Sequence, residues 1–265
     1  MNTSMKLAWM PLLLLLPCPA FAGAWLQDEG NTLLSTQALI YQTDSYYDSG
    51  GDELSQSEFT KTELNLYAEY GWRKNVTLGT NLFVNHVEQG NDNLGIADPE
   101  FFARFVLLTS DHSVLSIQPL VKLPSWYQNA GSPRGGSEAT DIELSLLFGH
   151  NLPIISPRDY IDVRAGYRER SRSLKGQYRL DASYGMYLRD DLLLVPSVRA
   201  VIATDANVQV FREDGEQDYD LYKTEINAYY ALSDSQQLSF GYFTHMGGEQ
   251  TGAGQGFSIG LVQRF

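Results

Sequence analysis

Cysteine is almost missing from this 265-residue chain, with Cys18 the only one. It lies near the amino terminus, between Pro17 and Pro19, without the small residues that a lipid-attachment site prefers. A fold held by disulfides is excluded. Basic charge is also scarce: 19 Lys and Arg stand against 32 Asp and Glu, for a net charge of −13. Nucleic acid is therefore not an expected partner, because phosphate binding draws on clustered cations. Beyond residues 1–22 no run approaches the ~18 consecutive apolar residues of a membrane-crossing helix. No linker or low-complexity spacer divides the chain, which reads as one domain.

The first 22 residues have the layout of a secretory leader. Lys6 supplies the only charge, Leu12–Leu16 the apolar run, and Ala20-Phe21-Ala22 a small-residue cleavage site. Cleavage is expected before Gly23, leaving 23–265 as the exported domain, without cysteine.

What the chain does have is aromatics and alternation. Tyr 16, Phe 12 and Trp 4 suit interfacial girdles. Twelve segments read as strands, at roughly 31–44, 57–72, 75–88, 99–109, 113–125, 139–150, 159–170, 177–189, 191–204, 219–232, 236–247 and 256–265. Most reach the ~9–11 residues that cross a bilayer at a tilt. The connections alternate, longer then shorter, starting with a long one at Ser45–Gln56. A closed barrel with both termini on one side requires that parity, and a soluble sandwich does not. The expected fold is all-β, a closed antiparallel transmembrane β-barrel of about twelve strands.

Side-chain alternation supports the same fold. Ile142, Leu144, Leu146 and Phe148 share one face of their strand, with Asp141, Glu143 and Ser145 on the other. Ile161, Val163, Ala165 and Tyr167 likewise oppose Asp162, Arg164 and Arg168. A charge facing mid-bilayer costs about 2–4 kcal/mol, whereas a wet or salt-bridged lumen accepts it. Pro119 and Pro196 each remove a donor from a sheet without edges, so bulges are expected there.

The last segment, GFSIGLVQRF, places Phe257, Ile259, Leu261 and Phe265 on one face. It resembles the terminal strand of bacterial outer-membrane barrels. The resemblance implies recognition by the barrel-insertion machinery, outer-membrane lipid around the barrel, and a Gram-negative outer-membrane location reached through the leader. Gln263 departs from the pattern, since that position is usually apolar.

A narrower resemblance rests on Gly95-Ile96-Ala97-Asp98-Pro99-Glu100-Phe101-Phe102-Ala103-Arg104 leading into Val114–Pro124, which ends in Lys122-Leu123-Pro124. Tyr70-Gly71-Trp72 and Val76-Thr77-Leu78-Gly79 precede it. This stretch resembles the outer-membrane proteins grouped as components of a MetA-type phenol-degradation pathway. The resemblance implies a barrel that moves small organic compounds. It transfers no catalytic residues and implies no cofactor.

By alternation Lys61, Arg104, Lys122, Arg164, Arg168, Arg170, Arg179, Arg199, Lys223 and Arg264 face inward, with Glu63, Glu69, Glu100, Asp141, Glu143, Asp162, Asp181 and Glu225. Of these, Arg104, Lys122, Arg164, Arg168, Arg179, Arg199, Glu63, Glu143, Asp162 and Asp181 are the candidate channel lining. Arg164, Arg168, Arg179 and Arg199 make one wall Arg-rich: either an anion-guiding ladder or a brace of ion pairs. Acidic residues at Asp44–Glu58 and Asp205–Asp220 match no calcium-loop spacing and read as solvated surface, so no metal is expected. The expected function is passive passage of small organic solutes, aromatic or anionic, without catalysis. The alternatives are a non-conducting structural barrel and an outer-membrane lipid hydrolase. A hydrolase would need a nucleophile and base on the lipid face, where Thr62 pairs with His86 if the turn after Trp72 is tight, with Glu58 as orienting group.

Overall fold

The computed structural model describes residues 23–128, 135–204 and 218–265; residues 1–22, read above as a leader, lie outside them. Twelve long strands form one sheet: β1 (Thr32–Tyr47), β2 (Glu53–Arg73), β3 (Val76–Gln89), β4 (Asn91–Thr109), β5 (Ser113–Lys122), β7 (Asp141–Asn151), β8 (Tyr160–Arg170), β9 (Gln177–Arg189), β10 (Leu192–Ala203), β11 (Asp220–Ser233), β12 (Gln236–Glu249) and β14 (Gln255–Arg264). Two short pieces, β6 (Trp126–Tyr127) and β13 (Thr251–Gly252), pair with β4 and β1. Each long strand is antiparallel to its sequence neighbours, and β1 pairs with both β2 and β14. The sheet is thus a closed barrel without a free edge, which satisfies every ladder internally.

Thr32 and Phe265 exchange backbone hydrogen bonds at 2.9 and 3.0 Å, so both ends of the barrel share one rim. The tight turns at 74–75, 110–112, 190–191 and 234–235 lie on that rim, with the longer 152–159 connection. In that connection Asp159 is fully buried and accepts from Ile155 N, Ser156 N, Tyr184 Oη and Tyr187 N. Burial alone would raise its pKa, but these donors outweigh it and hold the carboxyl below its ordinary value.

The outer face is apolar. Ile142, Leu144, Leu146 and Phe148 are all exposed there, as are Phe257, Ile259 and Phe265. Neighbours in the same strands are buried inside: Asp141, Glu143 and Ser145 of β7, and Val262 of β14. The inside is an equal participant in folding, since the buried side chains of the chain are found there.

Two expectations need correction. The stretch 89–98, read as a loop, is a hairpin: β3 and β4 pair from Gln89↔Asn91 downward, turning on Gly90 at φ +75°. Its tip, residues 88–93, is polar on both faces and hides the strand, although Leu94 and Ile96 beyond it are exposed on the outside. The prolines also do not make bulges. Phe102↔Leu120 and Phe105↔Ile117 flank an unpaired gap in the same register, and so do Leu194↔Met186 and Ser197↔Ser183. Pro119 and Pro196 each lose contact with one neighbour while pairing with the other, at Leu144 and Ile226. The flanking bonds preserve register, so a missing donor costs a rung and no shift. A bulge does occur between Asn81 and Phe83, opposite Asp98-Pro99, where Asp98 takes φ +42°.

Candidate functional site: the barrel lumen

The lumen is built in three levels. Next to the short-turn rim, Leu33, Tyr160, Tyr187, Leu193, Val195, Tyr229 and Val262 form a buried apolar cluster, with Trp25 and Tyr67 against it. These inward apolar side chains escape a simple polar-inside rule.

Their partner is the chain's own amino-terminal segment. After a turn at Gly30 (φ +89°), residues 23–28 run inside the barrel. Ala24 N donates to Asp162 Oδ2 at 2.8 Å, and Ser116 Oγ donates to Ala24 O at 2.7 Å. Arg104 Nη1 reaches Trp25 O at 2.9 Å. Gln27 donates through its backbone to Thr77 Oγ1 and through Nε2 to Glu69 Oε2, at 2.9 and 2.6 Å. The Trp25 ring lies edge-on to Tyr160, 5.5 Å between centroids, and flat over Gly149. Gly149 and Gly71 must be glycine: a Cβ would stand 2.5 Å from the indole in the first case and 1.9 Å from Asp28 O in the second. This segment carries no strand or helix periodicity, and sequence reasoning gave it no place inside the barrel.

The middle level is charged. Arg104, 2% exposed, bonds Glu69 at 2.9 Å and Gln118 at 3.0 Å. Glu143 is held by Arg168 at 2.7 Å, by Arg164, and by Ser145 Oγ at 2.6 Å. Arg168 extends to Glu100 at 2.7 Å and to Asp141 at 3.8 Å. Lys122 joins Asp141 and Asp98, both at 3.1 Å, tying the strained Asp98 to the loop through Ser125 Oγ and Ser137 N. Glu63 pairs with Lys61 at 2.9 Å and Glu225 with Lys223 at 2.7 Å. Asp181 pairs with Arg199, whose inward side chain is nevertheless 45% exposed. Arg179 takes part in no ion pair or hydrogen bond among the described residues, although it sits between Gly166 and Val201 on the same wall. Asp162 has the Ala24 amide and no ion-pair partner among the described residues. Which cation meets which acid depends on cross-strand register, and alternation alone does not supply it.

Toward the long-loop rim, Tyr41 stacks on Phe243 at 6.0 Å, with His245 tilted 5.2 Å from Tyr41. Lys223 Nζ sits 4.3 Å from the Phe243 ring centre.

No catalytic set is assembled at the hydrolase candidate. Thr62 is opposite His86, as expected from the tight turn, but no hydrogen bond joins them among the described residues. His86 instead faces Glu88 and Asp92 at 3.4 and 3.5 Å, and Glu58 is not among its partners. The described residues include no group of three or more His, Cys, Asp or Glu placed to hold a metal. Asp205, Glu213, Asp214 and Glu216 lie outside the described residues.

An outer-membrane channel of Pseudomonas putida F1 superposes with a TM-score of 0.74 at 15% identity, over 90% of this chain and 97% of that one. The KdgM porin, solved with oligogalacturonate, gives 0.54 at 8% identity, over 87% and 99%. The CymD monoaromatic hydrocarbon channel gives 0.51 at 9% identity, over 90% and 89%. No family model and no curated protein matches the chain. The chain has the fold of outer-membrane channels.

Proposed function

We propose that this protein is an outer-membrane barrel of a Gram-negative bacterium that passes small organic solutes passively, with preference for anions. The observation that carries the reading is the state of the Arg-rich wall. Arg164 and Arg168 are spent on Glu143 and Glu100, and act as a brace. Arg199 keeps nearly half its side chain open to the interior while neutralising Asp181. Arg179, beside it, forms no direct ion pair among the described residues. The open part of the lumen is therefore edged by Arg179, which lies within electrostatic reach of Glu143, Glu100 and Asp181 but is bonded to none of them among the described residues, and a cation held this loosely favours anions at close quarters despite the acidic exterior.

The apolar outer face supports insertion in lipid, and Phe257, Ile259, Leu261 and Phe265 would supply the signal to the barrel-insertion machinery. The candidate lining remains Arg104, Lys122, Arg164, Arg168, Arg179, Arg199, Glu63, Glu143, Asp162 and Asp181, with Arg179 and Arg199 the two that meet a permeant. Aromatic compounds fit the resemblance to the phenol-degradation group. The amino-terminal segment narrows the short-turn half and would set how readily the path opens. Liposomes containing the purified protein should swell faster in an isosmotic aromatic carboxylate than in a neutral sugar of similar size. Equal rates for both, at the level of empty liposomes, would reject passage.

A further inference from the structure

We propose that removal of the leader before Gly23 creates the counter-ion of Asp162, so that processing of the chain locks its amino-terminal segment into the lumen. The inference is independent of what the barrel transports, and rests on reading residues 1–22 as a cleaved leader.

Asp162 lies on β8, two residues from the strand's start, and is 6% exposed. The other well-buried lumen carboxylates each have a cation: Arg104 for Glu69, Arg164 and Arg168 for Glu143, Lys122 for Asp141. Asp162 has only the Ala24 amide, at 2.8 Å, and takes part in no ion pair among the described residues. Arg104 and Arg164 lie within electrostatic reach but form no ion pair with it among the described residues. Across the sheet it meets Gly149 and Ser183, neither of them charged. Arg164 on its own strand is engaged by Glu143 and Ser145. Arg104 from β4 is engaged by Glu69, Gln118 and Trp25 O. Asp181 on β9 is another acid, neutralised by Arg199. A buried carboxylate with a single neutral donor is costly, and a charge beside it removes that cost.

The one donor that Asp162 does have comes from Ala24, one residue beyond the expected cleavage point. Gly23 is itself buried there. Consecutive residues are only ~3.8 Å apart, and glycine places no side chain between its nitrogen and the carboxylate. Cleavage by a leader peptidase adds water across the Ala22–Gly23 peptide bond. The C–N bond breaks, Ala22 leaves as a carboxylate, and the Gly23 nitrogen takes up a proton to become an ammonium. An amide nitrogen in the uncleaved chain is thereby exchanged for a cation next to Asp162. Before cleavage the segment lacks this anchor; after it, the anchor is present only if the chain begins at Gly23.

Amino-terminal sequencing of protein from outer membranes should read Gly-Ala-Trp. The folded mature protein is then treated with an amine-acylating reagent at neutral pH and analysed by mass spectrometry. The α-amine of the wild type should react at least tenfold more slowly than that of Asp162→Asn. The amide in that variant still accepts from Ala24 N, so a purely hydrogen-bonding role would leave the rate unchanged. A second variant, with one alanine inserted between Ala22 and Gly23, keeps Asp162 but displaces the ammonium, and should also react fast. This second arm serves if Asp162→Asn does not assemble. A mature chain starting elsewhere, or a wild-type amine as reactive as that of the insertion variant, would overturn the proposal.

Discussion

Replacing Gly149 by valine should open the barrel. A Cβ at this position stands 2.5–2.8 Å from three atoms of the Trp25 ring, about 1 Å inside normal carbon contact. The strand cannot retreat, being paired on both sides at Val114 and Asp162, so the indole must move. What holds it is finely balanced. Five hydrogen bonds anchor residues 24–27, each contributing about 1 kcal/mol net. Burial of the Trp25 side chain adds roughly 3 kcal/mol. Ordering the six backbone residues 23–28 costs about 1–2 kcal/mol apiece, so the two sides nearly cancel. An overpacking penalty of about 1–3 kcal/mol is then enough to shift occupancy of the docked segment roughly five- to a hundred-fold. Single-channel recordings should show larger or longer openings for Gly149→Val, and for Trp25→Ala, which loses the packing instead. Both barrels should still migrate faster on gels before heating than after. Wild-type conductance in the two variants, in barrels that are folded by this criterion, would refute the reasoning.

Two other outcomes follow from the short-turn rim and the last strand. Asp159→Asn turns an amide NH₂ toward at least one donor that a carboxylate oxygen now accepts, Tyr187 N in the milder orientation, and should cost about 1–3 kcal/mol of stability. Because the folded carboxyl is held below its ordinary value, its contribution is complete above the unfolded value of about 3.9 and is lost as pH falls through the folded one; the variant should therefore lose part of the acid sensitivity seen below about pH 4 in unfolding curves, and a parallel acid limb would contradict this. Deleting Phe265 removes an exposed apolar end whose backbone exchanges two hydrogen bonds with Thr32; the yield of heat-modifiable barrel should fall, and an unchanged yield would show that the terminal residue carries no assembly signal.

Much of the barrel is legible because lipid and lumen impose opposite demands on alternate residues. β7 is the clearest case, with Ile142, Leu144, Leu146 and Phe148 out and Asp141, Glu143 and Ser145 in. The rule fails where both faces are polar, as in the extended β3–β4 hairpin around Gly90, and where the inside is apolar, as at Leu33, Leu193 and Val262. Those inward apolar residues make sense only with Trp25 in the lumen, a tertiary contact between distant parts of the chain. The ion pairs are hidden for a related reason. Alternation places Arg164, Arg168, Arg179 and Arg199 on one face, but only register and reach decide that Glu143 serves two of them and that Arg179 has none among the described residues.

The reversal potential of Arg179→Gln against wild type in a salt gradient tests the central claim most directly. The wild-type pore should favour anions, and removal of Arg179, which forms no direct ion pair among the described residues, should move the potential toward cations with little change in melting temperature. An unchanged potential accompanied by a less stable barrel would show that Arg179 braces the wall, and that anions are not guided past it.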